Sequence, residues 1–453
     1  MSSLLQGILV SAGLLMLPTA AEETNPDWRR FLEQAEKLRE AGSPGAEEAF
    51  QLASGITRDL NDEGVATAIV EGSLAVLRIR QDSYAEAEQL LVRALAVLEG
   101  HANEAGEDLV AALHNMAFLK GQAGLLTERE SYLQRGIDRA ERTASVRPGP
   151  LVQLLGTLAS VHLEKGRLSQ AEALLERSQV FEAHPSVIHQ LNRVPSLISA
   201  SELHLRRGES SRAREKAALA LQIVERNEGS LEIELAGTLH QLARAETELG
   251  RLREAEAHWK RALEILRKHL PENHPQLATA LIPLAAIARV KGAVEESERL
   301  LRSAVRIAER GNRPDITSVA LYELALLHVS GKRRTEAEPL FRSSLALTQR
   351  EFGTRSTQAA LCMAGLAGSL VALRRYEEAE PLLREAIVTV EQIGRENDGW
   401  LAGLLQRHSE VLRRLKRKEE AGVVAQRAQS LRALGLAAQA GQSVDVLVLK
   451  RKR

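Results

Sequence analysis

Residues 250–266 read GRLREAEAHWKRALEIL, and close variants of this stretch recur along the chain. SYAEAEQLLVRALAVL starts at Ser83 and RYEEAEPLLREAIVTV at Arg375. Taking Ala255 as a ruler mark, the equivalent residues are Ala87, Arg129, Ala171, Ala213, Ala255, Ser297, Ala337, Ala379 and Ala421. Every step is 42 residues except Ser297 to Ala337, which is 40. Seven residues after each mark stands a second small residue: Ala94, Gly136, Ser178, Ala220, Ala262, Ala304, Ser344, Ala386 and Ala428. Twelve before it stands a third: Ala75, Ala117, Ala159, Ser201, Ala243, Ala285, Ala325, Ala367 and Ser409. Arg129 is the one large side chain in these slots.

This pattern describes a first helix, a turn and a second helix, with small residues where two backbones approach too closely for larger ones. Gly124, Gly166, Gly208, Gly250 and Gly292 lie five residues before their marks, where a turn can use left-handed backbone angles. Pro339 and Pro381 fall near the start of second helices, where a missing N–H costs little. Pro283 falls inside a first helix and is predicted to kink it. A single helix pair cannot bury its apolar face alone, so the pairs must stack. The expectation is an all-α, quasi-one-dimensional solenoid.

Small residues at −12, 0 and +7 around a glycine-containing turn resemble the tetratricopeptide repeat, whose common unit is shorter. The 42-residue step is similar to the longer form found in kinesin light chains and many bacterial proteins. Two further stretches carry that likeness, ENHPQLATAL from Glu272 and LHNMA from Leu113. The resemblance covers residues 60–430 and implies a right-handed α-α superhelix. The organisation expected is a signal peptide at 1–21, a degenerate helix pair at 22–61, a solenoid of nine units at 62–433 and a basic tail at 434–453.

The resemblance also implies a partner-binding concave surface, lined by first helices at positions −6, −3, −2, +1, +4 and +5 from the small residue. Carried over, this gives His114, Asn115, Phe118 and Gln122 around Ala117. Around Ala243 it gives His240, Gln241, Arg244, Thr247 and Glu248, and around Ala325, Tyr322 and Glu323. Around Ser409 it gives Gln406, Arg407, Glu410, Arg413 and Arg414. Ile282, Ala286, Val290, Ala364, Gly365 and Gly368 make the same face apolar or small around Ala285 and Ala367. Such a wall suits an extended peptide, amides holding its backbone and apolar slots its side chains. The Lys and paired Asn of the family's carboxylate clamp are not reproduced, so chaperone C-terminal tails are not the expected ligand.

Composition fits a helical array, with 3% aromatic and 26% charged residues. Formal net charge is zero, but residues 407–453 hold twelve Lys/Arg against four Asp/Glu, so the rest carries −8. The basic end can dock an acidic patch, and no global field steers the chain to nucleic acid. Cys362 is the sole cysteine, which rules out an internal disulfide. Leu4–Leu17 form an apolar run too short to span a bilayer, followed by PTAAEE with small residues at the cleavage positions. This resembles a secretory signal peptide and predicts a periplasmic or extracellular protein with no stable membrane span once mature. After Leu434 the helical pattern stops, and SVDVLVL alternates like a strand.

No phosphate-binding loop, GxGxxG, HExxH or GxSxG is present. His162, His204 and His328 share one slot and read as packing residues, and His184 and His189 are spaced poorly for a metal. Glu86/Glu88 and Glu378/Glu380 read as solvated helix surface without the cleft an acid–base pair needs. The expectation is therefore a non-enzymatic scaffold for a protein or peptide partner, without catalytic residues, cofactor or metal. The alternative is a cytosolic regulator that responds to a peptide or small ligand.

Overall fold

The computed structural model describes residues 26–433, apart from 59, 61–63, 144–147, 182–190, 228–231, 332 and 394–397. The N-terminal apolar run and the C-terminal tail lie outside the described residues. The chain divides into two compact units, residues 1–269 and 270–453.

Unit 1 is a run of helix pairs: α1 (Pro26–Glu40) with α2 (Gly45–Thr57), α3 (Val65–Arg80) with α4 (Tyr84–Leu98), and α5 (Gly106–Gln122) with α6 (Leu126–Arg142). It continues with α7 (Pro148–Glu164) and α8 (Leu168–Phe181), α9 (Val194–Arg206) and α10 (Ser210–Arg226), then α11 (Glu232–Glu248) and α12 (Leu252–His269). Unit 2 holds α13 (Pro275–Val290) with α14 (Val294–Arg310), α15 (Pro314–Ser330) with α16 (Arg334–Phe352), and α17 (Thr357–Ala372) with α18 (Tyr376–Ile393). It ends with α19 (Asp398–Arg414) and a last helix, α20, at 418–433. Within each unit, a first helix packs on its own second helix, and that second helix packs on the next first helix. The array is all-α, a stack of repeats.

The three small slots are where these contacts are made. Ala75, Ala87, Ala94, Ala243, Ala255, Ala262, Ala325, Ala337 and their equivalents are all buried. In three of the serine slots the hydroxyl finds a main-chain acceptor on the partner helix, whereas Ser178 Oγ lies 2.6 Å from Ser196 Oγ and Ser409 Oγ is buried without a hydrogen bond among the described residues. Ser201 Oγ donates to Ala213 O at 2.8 Å, and Ser297 Oγ to Ala285 O at 2.8 Å. Ser344 Oγ donates to Ser318 O at 2.7 Å. These three bonds keep a buried hydroxyl from being an unsatisfied polar group, so serine can replace alanine there.

Most of the described turns within helix pairs close in the same way. Gly250 N–H donates to Thr247 O at 3.0 Å and Arg251 N–H to Glu246 O at 2.9 Å, a left-handed cap that uses the last carbonyls of the first helix. Gly250 stands at φ +70°, and Gly124, Gly166, Gly208 and Gly292 stand alike. Asp82, Arg374 and Lys416 occupy the same slot at φ 57°, 63° and 65°. Among the described residues, three repeats therefore adopt the glycine conformation without glycine, at a cost of about 1 kcal/mol each.

The prolines depart from expectation. Pro339 and Pro381 lie inside α16 and α18, whose first residues are Arg334 and Tyr376, so each removes one internal helical hydrogen bond. Pro283 lies inside α13, which nevertheless continues from Pro275 to Val290 as one element. The HP pair at 274–275 acts as a helix start: Pro275 takes the first position and His274 Nδ1 accepts from Gln276 N–H at 3.3 Å.

Successive pairs are also pinned by charge. The residue after the ruler mark, on a second helix, meets a basic residue near the turn of the next pair. Glu88–Lys120 (2.7 Å), Glu172–Arg207 (2.6 Å), Glu298–Arg333 (2.7 Å) and Glu338–Arg375 (2.6 Å) show the arrangement. Glu130–Lys165 repeats it, and Arg333 with Arg302 holds the Glu298 carboxyl down to about 2. One junction is inverted: Arg214 stands in the acidic slot and meets the buried Glu246 at 3.4 Å, with His258 Nδ1 2.7 Å from the same carboxylate. A second ladder joins successive second helices through Arg135–Glu99, Arg177–Glu141, Arg261–Glu225 and Arg427–Glu391. Exposed pairs of this kind contribute about 0–1 kcal/mol each, so their main effect is on register.

Arg129 shows what a large residue in a small slot requires. It is 5% exposed, and its guanidinium donates to Glu164 Oε1 at 3.2 Å, a carboxylate on the first helix of the next pair. Burial pulls the Arg129 pKa down while Glu164 supports the charge. A buried cation persists only when paired in this way.

Ala262 is 1% exposed between α12 and its neighbours. Ala262→Leu is expected to cost about 1–3 kcal/mol by overpacking that contact. The check is the thermal unfolding midpoint followed by circular dichroism, and no change would refute the slot assignment.

Candidate functional site

Successive first helices touch one another directly: α3 with α5, α5 with α7 and α9 with α11 in unit 1, α13 with α15 and α15 with α17 in unit 2. Their shared face is where the expected binding residues fall, and the two units treat it differently.

In unit 1 most of this face is spent on internal contacts. His114, Asn115 and Phe118 are buried, which removes them as open surface groups, whereas Gln122 is exposed. Phe118 packs edge-on against Tyr84 of the preceding pair, with ring centroids 6.3 Å apart. Gln241 is 0% exposed, because its amide donates to Ser201 Oγ at 3.2 Å and accepts from Arg244 Nη1 at 3.1 Å. Arg244 in turn donates to Glu202 Oε2 at 2.6 Å, and Arg206 Nε donates to Glu202 Oε1 at 2.9 Å. Burial favours the neutral Glu202 acid, yet the two guanidiniums hold its pKa below the ordinary carboxylate value. Thr247 donates to Ala243 O at 2.8 Å, and Glu248 is exposed. His240 is half-buried against Trp259, edge-on at 4.5 Å, and burial with the nearby Arg244 lowers its pKa to about 3.

The network Ser201–Gln241–Arg244–Glu202–Arg206 therefore ties α9 to α11. Sequence reasoning places Gln241 and Arg244 among the binding groups and omits Glu202. The signal was present: Glu202 and Arg244 occupy the same slot in consecutive repeats with opposite charge. A second missed feature is the close crossing of α7 and α9. A Cβ on Gly156 would stand 2.4 Å from Ser196 N, and Ser199 Oγ donates to Gly156 O at 2.9 Å. Only glycine permits that approach.

In unit 2 the face stays open. Ile282, Ala286, Val319, Leu326 and Leu361 are half-buried, and Val290 is 63% exposed. Tyr322 and Glu323 are half-buried on α15. Tyr322 packs edge-on to Phe341 at 5.6 Å, and Phe341 fills the space that the glycine at 365 leaves on α17. A Cβ there would lie 2.5 Å from Phe341 Cε1, so Gly365 serves packing as well as surface. Ala364 is buried.

Four side chains converge across the small residues of α17. Arg289 Nη2 lies 3.4 Å from Glu323 Oε2. Burial raises the Tyr322 hydroxyl to about 12, with Glu323 and Cys362 adding to the rise and Arg407 and Arg289 opposing it. Burial likewise raises the Glu323 carboxyl, against the pull of Arg289. Arg407 Nη1 lies 3.7 Å from where a Cβ on Gly368 would stand. Arg407, Arg413 and Arg414 are exposed on α19 and have no ion-pair or side-chain hydrogen-bond partner among the described residues. Gln406 is half-buried and Glu410 exposed beside them.

Histidine does packing work elsewhere. His162 and His328 are buried, and His204 Nδ1 lies 2.7 Å from Glu209 Oε2. Among the described residues, no three His, Cys, Asp or Glu side chains gather as a metal site, and no helix is long and apolar enough to cross a membrane. Cys362 is buried beside Ser344 Oγ at 3.1 Å.

Comparison with known proteins agrees with this architecture. The tetratricopeptide repeat profile matches residues 234–310 and 316–392. No curated protein matches the chain. Among solved structures, the apo quorum sensor NprR from B. thuringiensis is similar with TM-score 0.57 at 13% identity, covering 80% of this chain and 99% of that one. A Rap protein complexed with competence and sporulation factor gives TM-score 0.56 at 16% identity, over 82% and 99% of the two chains. NprR in complex with its cognate peptide NprX gives 0.51 at 16%, over 64% and 82%. At these identities the likeness is one of fold. The repeat match assigns residues 234–310 and 316–392 to the tetratricopeptide repeat, and the same small-residue slots recur in the other helix pairs.

Two outcomes test the site geometry. Gly365→Ala is expected to destabilise the chain by about 1–3 kcal/mol, and Phe341→Leu in the same chain should restore part of the loss. Additive effects in thermal melts would mean the two residues do not meet. His114 is 5% exposed, and burial together with Arg129 lowers its pKa from 6.5 to about 4. The unfolded chain therefore takes up this proton before the folded one does. The stability contributed by neutral His114 is complete above pH 6.5 and is lost as pH falls from there to about 4. Denaturant titrations across that window should show a shallower decline for His114→Phe than for the native chain.

Proposed function

We propose that this protein is a non-enzymatic interaction scaffold that binds a protein or peptide partner on the face formed by its first helices. The observation that carries the reading is the contrast between the two units. In unit 1 much of that face is buried or held in the Glu202–Arg244–Gln241 network, whereas unit 2 leaves Ile282, Val290, Val319, Leu326 and Leu361 accessible beside unpaired arginines. A contiguous apolar face with a few directed polar groups is the chemistry of a ligand groove. Second helices carry their charges in reciprocal ladders between neighbouring repeats. That a fold relative holds its cognate peptide supports the same use of the fold.

The sequence of residues 1–21 adds a location. We read it as an export signal, which places the partner in the envelope or outside the cell. The intact mass of the protein from its native cells decides the point: loss of residues 1–21 is expected. A full-length soluble product would favour the cytosolic regulator instead.

The binding face is tested by photo-crosslinking in those cells. A benzoylphenylalanine at Tyr322 should yield adducts with another protein, while the same residue at Val423, exposed on α20, should not. Adducts from Val423 alone would move the partner to the second helices.

A further inference from the structure

We propose that the unit 2 face is specific for an extended, acidic and aliphatic segment of another protein, with an Asp or Glu side chain of that segment seated on Arg407. This rests on the peptide-binding reading above and adds the chemistry of the occupant.

The argument is one of charge left over. On the first-helix faces of both units, cations are normally matched: Arg206 and Arg244 share Glu202, and Arg289 meets Glu323. On α19 the pattern stops, and Arg407, Arg413 and Arg414 stand exposed without partners among the described residues. Glu410 is the one carboxylate on the exposed side of that helix turn, so the patch keeps a net positive charge. Second helices show that this chain has acids available to neutralise arginines at a distance of one repeat, as in Arg427–Glu391 at 2.6 Å. On α19 no such acid is supplied.

Position then selects among the three arginines. The guanidinium of Arg407 lies over Gly368, and both Arg407 and Arg289 act on the Tyr322 hydroxyl. Because α17 places Gly365 and Gly368 here, Tyr322 of α15 and Arg407 of α19 act on one another across it. The floor is thus glycine, the walls are Tyr322 and Arg407, and the approach is lined by Leu326, Val319 and Leu361. A carboxylate on Arg407 gains a charge-assisted, bidentate hydrogen bond, and Tyr322, neutral far above physiological pH, can donate a second. Aliphatic neighbours of the acid cover the apolar side chains of α13 and α15. A basic segment would be repelled by Arg407, Arg413 and Arg414, and a purely aliphatic one would leave the arginine desolvated without a partner.

The probes are three pools of short fluorescein-labelled peptides, degenerate in Leu, Val, Ile and Ala, with a central residue fixed as Glu, Gln or Lys. Anisotropy with the full chain should show the Glu pool binding roughly tenfold more tightly than the Gln pool, with the gap closing as salt rises. Arg407→Gln should erase the preference for Glu. Arg407 is exposed and unpaired, so circular dichroism should be unchanged in that variant. Gly368→Leu, which fills the floor, should weaken every pool. Equal binding of the Glu and Gln pools, lost in Gly368→Leu, would overturn acid recognition while leaving peptide binding in place. A preference for Lys, or a Glu preference that survives Arg407→Gln, would also overturn it. No binding of any pool at about 1 mM would overturn this proposal and the groove reading together.

Discussion

The structure depends on backbones that come close. At three points in each repeat, Arg129 being the one exception, a residue no larger than serine lies between two helices, and the whole periodicity of the chain follows from keeping those points small. The apolar side chains around them, such as Trp259, Phe341, Leu91 and Leu133, are fully buried because the close contact brings the neighbouring helices within reach. Arg129 marks the limit of tolerance. It enters the slot only with a carboxylate from the next repeat to meet it.

From that constraint comes a division between surfaces. Second helices face their counterparts one repeat away at a fixed offset, so opposite charges can be laid out in ladders that close on themselves. First helices share a face that is more crowded, and each pair resolves the crowding separately. Unit 1 does so with hydrogen-bonded polar groups, centred on Glu202 and Arg244. Unit 2 does so with glycine and alanine on α17, which leaves room above them. The candidate groove is thus a by-product of how small one helix is made.

Much of the fold could be read from the chain because a ruler of fixed period needs only residue size. Even the turns without glycine were locatable, since Asp82, Arg374 and Lys416 fall on the same mark as their glycine equivalents. The site was less legible. A slot position says that a side chain points to the shared face, but whether it stays exposed depends on the repeat next door. Gln241 looks like a groove amide until Ser201 is placed beside it, and Gly365 looks like open floor until Phe341 covers one side. The prolines failed for a related reason. Their distance from the helix start turns on where the cap forms, which a spacing rule fixes only to within a turn.

The inverted junction at Arg214 and Glu246 has a meaning for how the array is ordered. A chain of near-copies can join the wrong neighbours, by skipping a repeat while folding or by recombination between equivalent stretches of its gene. At most junctions an acid meets a base, and one copy would do as well as another. Here the signs are exchanged, so Arg214 would face a basic turn, and Glu246 an acid, in any other pairing. That single reversal gives an otherwise uniform chain an address, one place where only the correct neighbours are compatible.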